Sequence, residues 1–330
     1  VRLKAEHGYE NQTWKRWLRH ITRGVDMQPT LTKRVRKGTR GLLPGWMLNF
    51  SDNLDRIRNS TLGIKEFVIA EPQDKRTIVV GRGPSLFRLN HLQTLAKSGF
   101  DGYVLATDGI LIDMLKAGVV PWAVFVVDGS ELVRKWFDNE LVREHGNKIK
   151  AIVCSTVHPK VLELIDEAKM PIYWFLPAHD DGTSEESFTR SISFMTVGEV
   201  RKEPLLSLEC LGQVGGASMV FAWSILKSKE ICLIGIDHGY PADMPREETY
   251  YWTGTVDKLG ALDASAVYEQ FYHPFFKSEY IIDPAFTSYR EGFIDSLILK
   301  PPYTHLTNCS PGTLFHPLLD CMHFEDWLKK

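Results

Sequence analysis

Several motifs that would identify a common enzyme class are missing from this 330-residue chain. No Gly-Lys-Ser/Thr follows a glycine-rich turn, which excludes a P-loop NTPase, and no Cys-x-x-Cys pair occurs. The chain also lacks the nucleophile-elbow sequence of a serine hydrolase and any Cys–His nucleophile arrangement. No cluster of His, Cys, Asp and Glu has metal-ligand spacing, so we predict no metal-ligating residue.

Long apolar segments are missing as well. No run approaches the ~18 apolar residues that cross a bilayer, and no apolar segment near residue 1 suggests a secretory signal. The cysteines are odd in number and scattered, at Cys154, Cys210, Cys232, Cys309 and Cys321. This pattern is typical of buried thiols in a reducing compartment. We therefore expect a cytoplasmic protein with no membrane span.

Charge is unevenly distributed, although the chain as a whole carries only −2. Residues 1–40 hold eleven Lys or Arg against three acids, which gives +8 there and leaves −10 for the rest. Such an arm can bind nucleic acid, anionic lipid or an acidic partner. Trp14, Trp17, Leu18 and Ile21 recur at helical spacing, however, and a stripe of this kind needs an apolar partner. We favour docking onto a protein partner or a second copy over nucleic-acid binding.

From residue 77 onward, strand patterns alternate with helix patterns. The predicted strands are 77–80, 102–106, 122–127, 151–154, 171–175 and 230–234. They are almost continuously apolar, as strands covered on both faces are. The alternation predicts an α/β fold with a mostly parallel, doubly wound sheet.

Three regions follow from this pattern. Residues 1–70 are a basic helical arm, and residues 71–262 are a nucleotide-binding domain. Within that domain, polar residues 177–214 are too long for a bare connection and indicate an inserted loop or lid. Residues 263–330 are a C-terminal helical extension on the same domain, and 264–299 look mainly helical.

A tight turn ends the first strand at Gly81-Arg82-Gly83-Pro84-Ser85, and a helix pattern follows it. Glycines permit a sharp turn and close approach of a ligand. Pro84 suits a helix start, where free N–H groups attract phosphate. Leu86 takes the place of the third glycine of the dinucleotide fingerprint, so the turn predicts a nucleotide site of another type. An ordinary strand–helix turn without a ligand stays open as the alternative.

Ligands of open α/β sheets lie beyond the carboxyl ends of the strands, where this chain has small and acidic residues. Further nucleotide-binding candidates are Thr107, Asp108, Asp128, Gly215 and Gly216, with Asp108 or Asp128 able to hold a ribose hydroxyl or Mg²⁺. The catalytic candidates are His238 and the adjacent Asp237. Imidazole titrates near neutral pH, which suits a general base. A histidine that only holds its loop is the alternative, and His179 and His273 are rivals.

A family resemblance rests on residues 79–86, Ala106-Thr107-Asp108-Gly109, residues 117–121 and Val126-Val127-Asp128. Together they resemble the 6-hydroxymethylpterin diphosphokinase-like family. Gly215-Gly216-Ala217-Ser218, residues 233–237 and residues 308–312 look like its motility accessory factor branch, flagellin glycosyltransferases that use a CMP-activated nonulosonic acid. The resemblance covers residues 75–330 and implies a Rossmann-like fold. Arg82 departs from the family, in which a small residue or Asn is common.

Three functions are consistent with these observations. The resemblance implies a transferase, and we favour a glycosyltransferase-like enzyme that uses a CMP-activated sugar and needs no cofactor. The first alternative is a diphosphokinase that moves pyrophosphate from ATP to a pterin alcohol and requires Mg²⁺. The second is a non-catalytic structural protein on a nucleotide-binding fold. The expected ligand is a nucleotide or a nucleotide-sugar.

Overall fold

A parallel β-sheet lies at the centre of the protein, for which a computed structural model describes residues 27–180, 186–253 and 266–330. The strands are β1 (Thr77–Val80), β2 (Tyr103–Thr107), β3 (Ala123–Val126), β4 (Lys150–Cys154), β5 (Ile172–Pro177), β6 (Ser207–Leu208), β7 (Glu230–Ile234), β8 (Tyr240–Pro241), β9 (Glu269–His273), β10 (Ser278–Ile282), β11 (His305–Asn308) and β12 (Asp320–Cys321). The first and seventh have the predicted bounds, because each is a short apolar run that the sheet buries almost completely.

Nine of these strands form the main sheet in the order β12-β11-β7-β1-β2-β3-β4-β5-β6. All its pairings are parallel. The chain proceeds from β1 outward to β6 and then returns to the other side of β1 with β7. The strand order therefore reverses between β1 and β7, and the carboxyl ends of all nine strands lie at one edge.

Helices cover the sheet. They are α1 (Met27–Arg58), α2 (Pro84–Arg88), α3 (His91–Lys97), α4 (Leu111–Lys116), α5 (Glu140–His145), α6 (Pro159–Glu167), α7 (Phe188–Met195), α8 (Val214–Ser224), α9 (Pro284–Ser296) and α10 (Phe324–Lys329). A 3₁₀ turn, Glu131–Trp136, follows β3. Helix α8 is apolar around most of its surface and is buried from Gly215 to Trp223 against the central strands, which fits a helix inside the core. The predicted fold class is confirmed.

The C-terminal extension contains the expected helix α9, but the sequence before it is not helical. Strands β9 and β10 form an antiparallel hairpin, which β8 extends to three strands. In β10, Tyr280, Ile281 and Ile282 are buried. Aromatic and β-branched residues favour such a pleated, half-buried surface over a helix. The prediction that residues 264–299 are mainly helical was wrong for this hairpin.

The predicted loop 177–214 carries regular structure too. It contains α7, and β6 adds the last strand of the main sheet. The predicted arm 1–70 contains α1, whose second half packs on the strand ends. The stripe at Trp14, Trp17, Leu18 and Ile21 lies outside the described residues. Among the helices that are described, none is long and apolar enough to cross a bilayer.

Candidate functional site

The predicted site residues gather at the carboxyl edge of the main sheet, because each follows a parallel strand. The glycine turn follows β1, Thr107 ends β2 and is followed by Asp108, Asp128 follows β3, and Asp237 and His238 follow β7. Gly215 and Gly216 lie in the first turn of α8, whose Gly215 approaches Ile236 near the end of β7. The structure therefore brings all these segments to one edge.

Two glycines allow β1 and β7 to end in close contact. A Cβ on Gly81 would lie 2.4 Å from the carbonyl oxygen of Gly235, and a Cβ on Gly235 would lie 2.5 Å from that of Gly81. Gly235 also has a φ of +65°, a conformation that side chains disfavour. The two glycines therefore allow the backbones that follow β1 and β7 to come into close contact at the position where the strand order reverses.

The glycine turn is tied to Asp237 within the protein. The Asp237 carboxylate accepts the Ser85 amide N–H at 2.7 Å and the Ser85 Oγ–H at 2.5 Å. Gly83 faces the same carboxylate, and a Cβ there would lie 2.4 Å from the Asp237 carboxyl carbon. A Cβ on Gly312 would lie 2.4 Å from the Asp237 Cα. The phosphate contact predicted for Ser85 would therefore require a ligand to displace Asp237, and it stays a prediction.

Asp237 itself is buried, with 2% of the residue exposed. Burial raises the pKa of its carboxyl group to about 6, and the two bonds from Ser85 oppose that rise. The Asp237 carbonyl accepts the Thr313 amide and hydroxyl, which fixes the loop after β11 on this site. Asp237 thus joins the loops that follow β1, β7 and β11. These contacts are structural and do not support the predicted catalytic role, which stays a prediction.

Asp108 has the electrostatic setting of a titrating group. It is 8% exposed and accepts the Gly109 amide at 2.7 Å. Burial raises the pKa of its carboxyl group to about 7, and the nearby charge of Asp128 adds to the rise. Asp128 also accepts the Ser130 amide, which shapes the loop after β3. The prediction that both carboxylates face one cleft agrees with the effect of the Asp128 charge on Asp108.

Arg82 extends from the glycine turn over the end of β2. Its Nε–H donates to Asp113 at 3.2 Å, and its guanidinium carbon lies 5.0 Å from the centre of the Trp136 ring. A Cβ on Gly109 would lie 3.5 Å from the Arg82 Cδ and 3.8 Å from the Trp136 Cε2. Arg82 and Trp136 therefore stand directly over the peptide that follows Asp108.

Helix α1 covers the neighbouring strand ends. The Asn49 side chain donates to the carbonyls of Gly129 and Thr156, and that of Asn53 donates to those of Ser155 and Val157. Trp46, one turn before Asn49, stacks on the ring of His179. Two asparagines four residues apart form no recognisable motif, so nothing in the sequence marks this part of the site.

His238 is enclosed and neutral. The residue is 5% exposed, its φ is +47°, and its Nε2 lies 2.7 Å from the Gln213 Oε1 just before α8. Burial, with the charge of Arg290, lowers the pKa of the imidazole to about 3. A base with that pKa accepts a proton poorly at neutral pH. These observations favour the loop-holding alternative over the predicted general base.

The glycines of α8 serve packing. A Cβ on Gly215 would lie 2.9 Å from the Ile236 side chain, and a Cβ on Gly216 would lie 2.8 Å from the Cys210 carbonyl oxygen. Their predicted contact with a nucleotide stays a prediction. No group of three His, Cys, Asp or Glu side chains in the described part of the chain is placed to hold a metal ion.

A cavity adjoins α2. It has a volume of about 420 Å³, and Ser85, Arg88, Asp243 and Tyr280 are among its lining residues. An ion pair between Arg88 and Asp243, at 2.9 Å, crosses this region. The cavity adjoins the glycine turn but is open to solvent, and its lining mixes both charges.

Comparison with known proteins agrees with the fold. The family model described as 6-hydroxymethylpterin diphosphokinase MptE-like matches residues 48–243, more than half of the chain. Among solved structures, the MAf glycosyltransferase from Magnetospirillum magneticum AMB-1 is similar, with a TM-score of 0.55 and 14% identity over 83% of this chain and 38% of that one. At this identity the likeness concerns the fold alone. The chain spans little more than a third of that protein's length, and no curated protein sequence matches it significantly.

Proposed function

Because the chain belongs to the 6-hydroxymethylpterin diphosphokinase MptE-like family, we propose that it is a nucleotide-dependent group transferase. Both the family description and the name of the structural neighbour refer to enzymes that transfer a group. We favour a glycosyltransferase-like reaction with a CMP-activated sugar as donor. The fold likeness supports this choice, since it extends over 83% of the chain and so beyond the matched family region.

The observation that carries the proposal is the buried Asp108 carboxyl, which directly precedes the Gly109 peptide that Arg82 covers. With a pKa of about 7, this group is half ionised at neutral pH and can take up a proton during a reaction. Arg82, which stands over the adjacent Gly109, supplies positive charge for a phosphate. A proton acceptor and a cation thus lie on neighbouring segments at the carboxyl edge of the sheet, since Asp108 precedes the Gly109 peptide that the Arg82 side chain covers.

The proposed step is a displacement at the anomeric carbon of the sugar. The acceptor hydroxyl oxygen forms the new bond to that carbon, and the bond from the carbon to the CMP phosphate oxygen breaks. CMP leaves with the electron pair of that bond, beside Arg82. The proton of the acceptor hydroxyl passes to the Asp108 carboxylate.

A direct experiment measures CMP release from a CMP-activated nonulosonic acid as a function of pH. Asp108→Asn should lower turnover by about 10²–10⁴-fold and remove the dependence on a group titrating near pH 7, with CMP affinity nearly unchanged. Asp101→Asn, which changes an exposed carboxylate before β2, is the matched control. Full turnover in Asp108→Asn, or no stabilisation of the wild type by CMP in a thermal-shift assay, would refute the proposal.

A second candidate is transfer of pyrophosphate from ATP to 6-hydroxymethylpterin, and the paired acids favour it. The charge of Asp128 is close enough to Asp108 to raise the pKa of its carboxyl group, and Mg²⁺ is often held by one or two carboxylates together with phosphate oxygens. They would hold the ion, which would neutralise phosphate charge. Stabilisation by ATP only with Mg²⁺, and none by CMP, would select this function over the first.

The basic arm keeps its proposed role as a docking segment for a protein partner or a second copy of the chain. Its charge of +8 and its tryptophans support this role. If no nucleotide stabilises the protein under any condition, the remaining function is that of a non-catalytic structural protein.

A further inference from the structure

A cation held on an aromatic ring borders the end of β2. We call Arg82, Asp113 and Trp136 the anion clamp. Asp113 lies on α4 and Trp136 ends the 3₁₀ turn after β3, so three separate segments build the cluster. The Arg82 guanidinium carbon lies 5.0 Å from the centre of the Trp136 ring and 5.8 Å from that of Phe87.

The clamp leaves part of the guanidinium available. The bond to Asp113 uses Nε, so the edge formed by the two Nη groups is outside that contact. The Arg82 side chain is 47% exposed, in contrast to the nearby Asp108, which is buried. Stacking on an aromatic ring limits the orientations of a guanidinium, so less conformational freedom is lost when it binds a ligand.

A positive charge at this point offsets the acidic side chains nearby. An anion that lies over Gly109 is close to the Asp108 and Asp128 carboxyl groups, which repel it when they are ionised. Lys135 adds a second positive group, with its Nζ 4.5 Å from the centre of the Trp136 ring. Arg82 and Lys135 therefore offset local negative charge where a nucleotide would enter.

We propose that Arg82 selects ligands by charge, binding the phosphate or sugar carboxylate of the donor, and that Asp113 and Trp136 are its positioning residues. The inference rests on the proposed function and names the group that the ligand presents to this side of the cleft. A guanidinium can bind either anion with two parallel hydrogen bonds, which a lysine at the same position could not reproduce.

The chain offers a matched control in Arg88. Its side chain is 49% exposed, close to the value for Arg82, and it also forms an ion pair, with Asp243. It lies at the end of α2 and lines the cavity beside that helix, and Arg82 is not among the residues that line it. Arg82→Gln and Arg88→Gln therefore remove the same charge from comparable environments inside and outside the clamp.

The experiment is calorimetric titration of full-length wild type, Arg82→Gln and Arg88→Gln with CMP, cytidine and a free nonulosonic acid. Arg82→Gln should weaken CMP binding by about 10- to 100-fold, the usual effect of losing a charge-assisted pair. Cytidine affinity should change less than twofold, because cytidine carries no phosphate, and Arg88→Gln should match the wild type. A loss confined to the free sugar acid identifies the carboxylate as the bound group.

The same titrations also test Trp136 as a positioning residue. Trp136→Leu should reduce the preference for CMP over cytidine while Arg82 is still present, and Arg82→Lys should restore only part of the CMP affinity lost in Arg82→Gln. If Arg82→Gln binds CMP and the sugar acid as the wild type does, the inference is wrong and Arg82 has no part in the proposed reaction, whereas the role of Asp108 still stands or falls with the CMP-release experiment. A wild type that binds none of the three ligands, nor ATP with Mg²⁺, overturns both.

Discussion

Replacing Asp237 by Asn tests the buried bond between the glycine turn and the end of β7. Asn has the same shape and can still accept the Ser85 N–H, but it carries no charge at any pH. Burial raises the pKa of the wild-type carboxyl group from 3.8 to about 6. The folded wild type therefore holds this proton at pH values where the unfolded chain has already released it.

The sign of the effect follows from that difference. Between the two pKa values the folded state binds more protons, so the free energy of unfolding of the wild type falls as pH rises. With values of 3.8 and about 6, the loss between pH 5 and pH 8 is about 1 kcal/mol, and the whole window accounts for about 3 kcal/mol. Asp237→Asn lacks this contribution. Asp108 titrates in both proteins and cancels in the comparison.

The assay is urea unfolding of wild type and Asp237→Asn at pH 5, 6.5 and 8. The wild-type free energy of unfolding minus that of the variant should fall by about 1 kcal/mol across this series. Ser85→Ala removes the Oγ–H donor that lowers the Asp237 pKa, so the fall should move to higher pH in that background. A difference that does not change with pH, or that rises with pH, would refute this account of Asp237.

Three further predictions follow. Gly83→Val should lower the free energy of unfolding by about 2 kcal/mol, because its Cβ would meet the Asp237 carboxylate; a variant that keeps wild-type stability but loses nucleotide binding would support a phosphate-binding turn instead. His238→Gln should retain most turnover, since Gln can also donate to the Gln213 Oε1, whereas a loss above 10²-fold would restore the catalytic role of His238. Deleting residues 1–26 should change the oligomeric state in sedimentation experiments, and an unchanged state would exclude self-association through that segment.

The central fold could be predicted because its strands are defined by local sequence. The apolar runs that form β1 and β7 end at glycines, so both their length and their boundaries were readable. The hairpin of β9 and β10 could not be predicted in this way. Burial does not alternate clearly along the strand Glu269-Gln270-Phe271-Tyr272-His273, and the pairing of this strand with Tyr280 and Ile281 is a tertiary contact. Local propensity gives way to such pairing.

The position of the candidate site could be predicted from the sequence, but the role of each residue in it could not. Parallel strands placed Asp108, Asp128 and Asp237 at one edge, which the order of the segments was enough to predict. The distances between partners were not accessible in this way. The bond from Ser85 to Asp237 joins residues 152 positions apart, and that from Asn53 to Ser155 joins residues 102 apart. Such contacts determine which acidic side chain is hydrogen-bonded within the protein and which is left to interact with a ligand.

The position of the cleft follows from which parts of the sheet edge the protein itself fills. The crevice between β1 and β7, where a doubly wound sheet commonly binds its ligand, is taken up by the close approach of Gly81 and Gly235 and by the Asp237 carboxylate. Farther along the edge, Asn49 and Asn53 of α1 cover the ends of β3 and β4. Between these two closed regions lies the end of β2, which is followed by Asp108 and by the Gly109 peptide that Arg82 covers. A ligand there would meet a titrating acid and a stacked cation together, and this is why the chemistry is assigned to Asp108 and Arg82 instead of to the glycine turn that dominates the sequence.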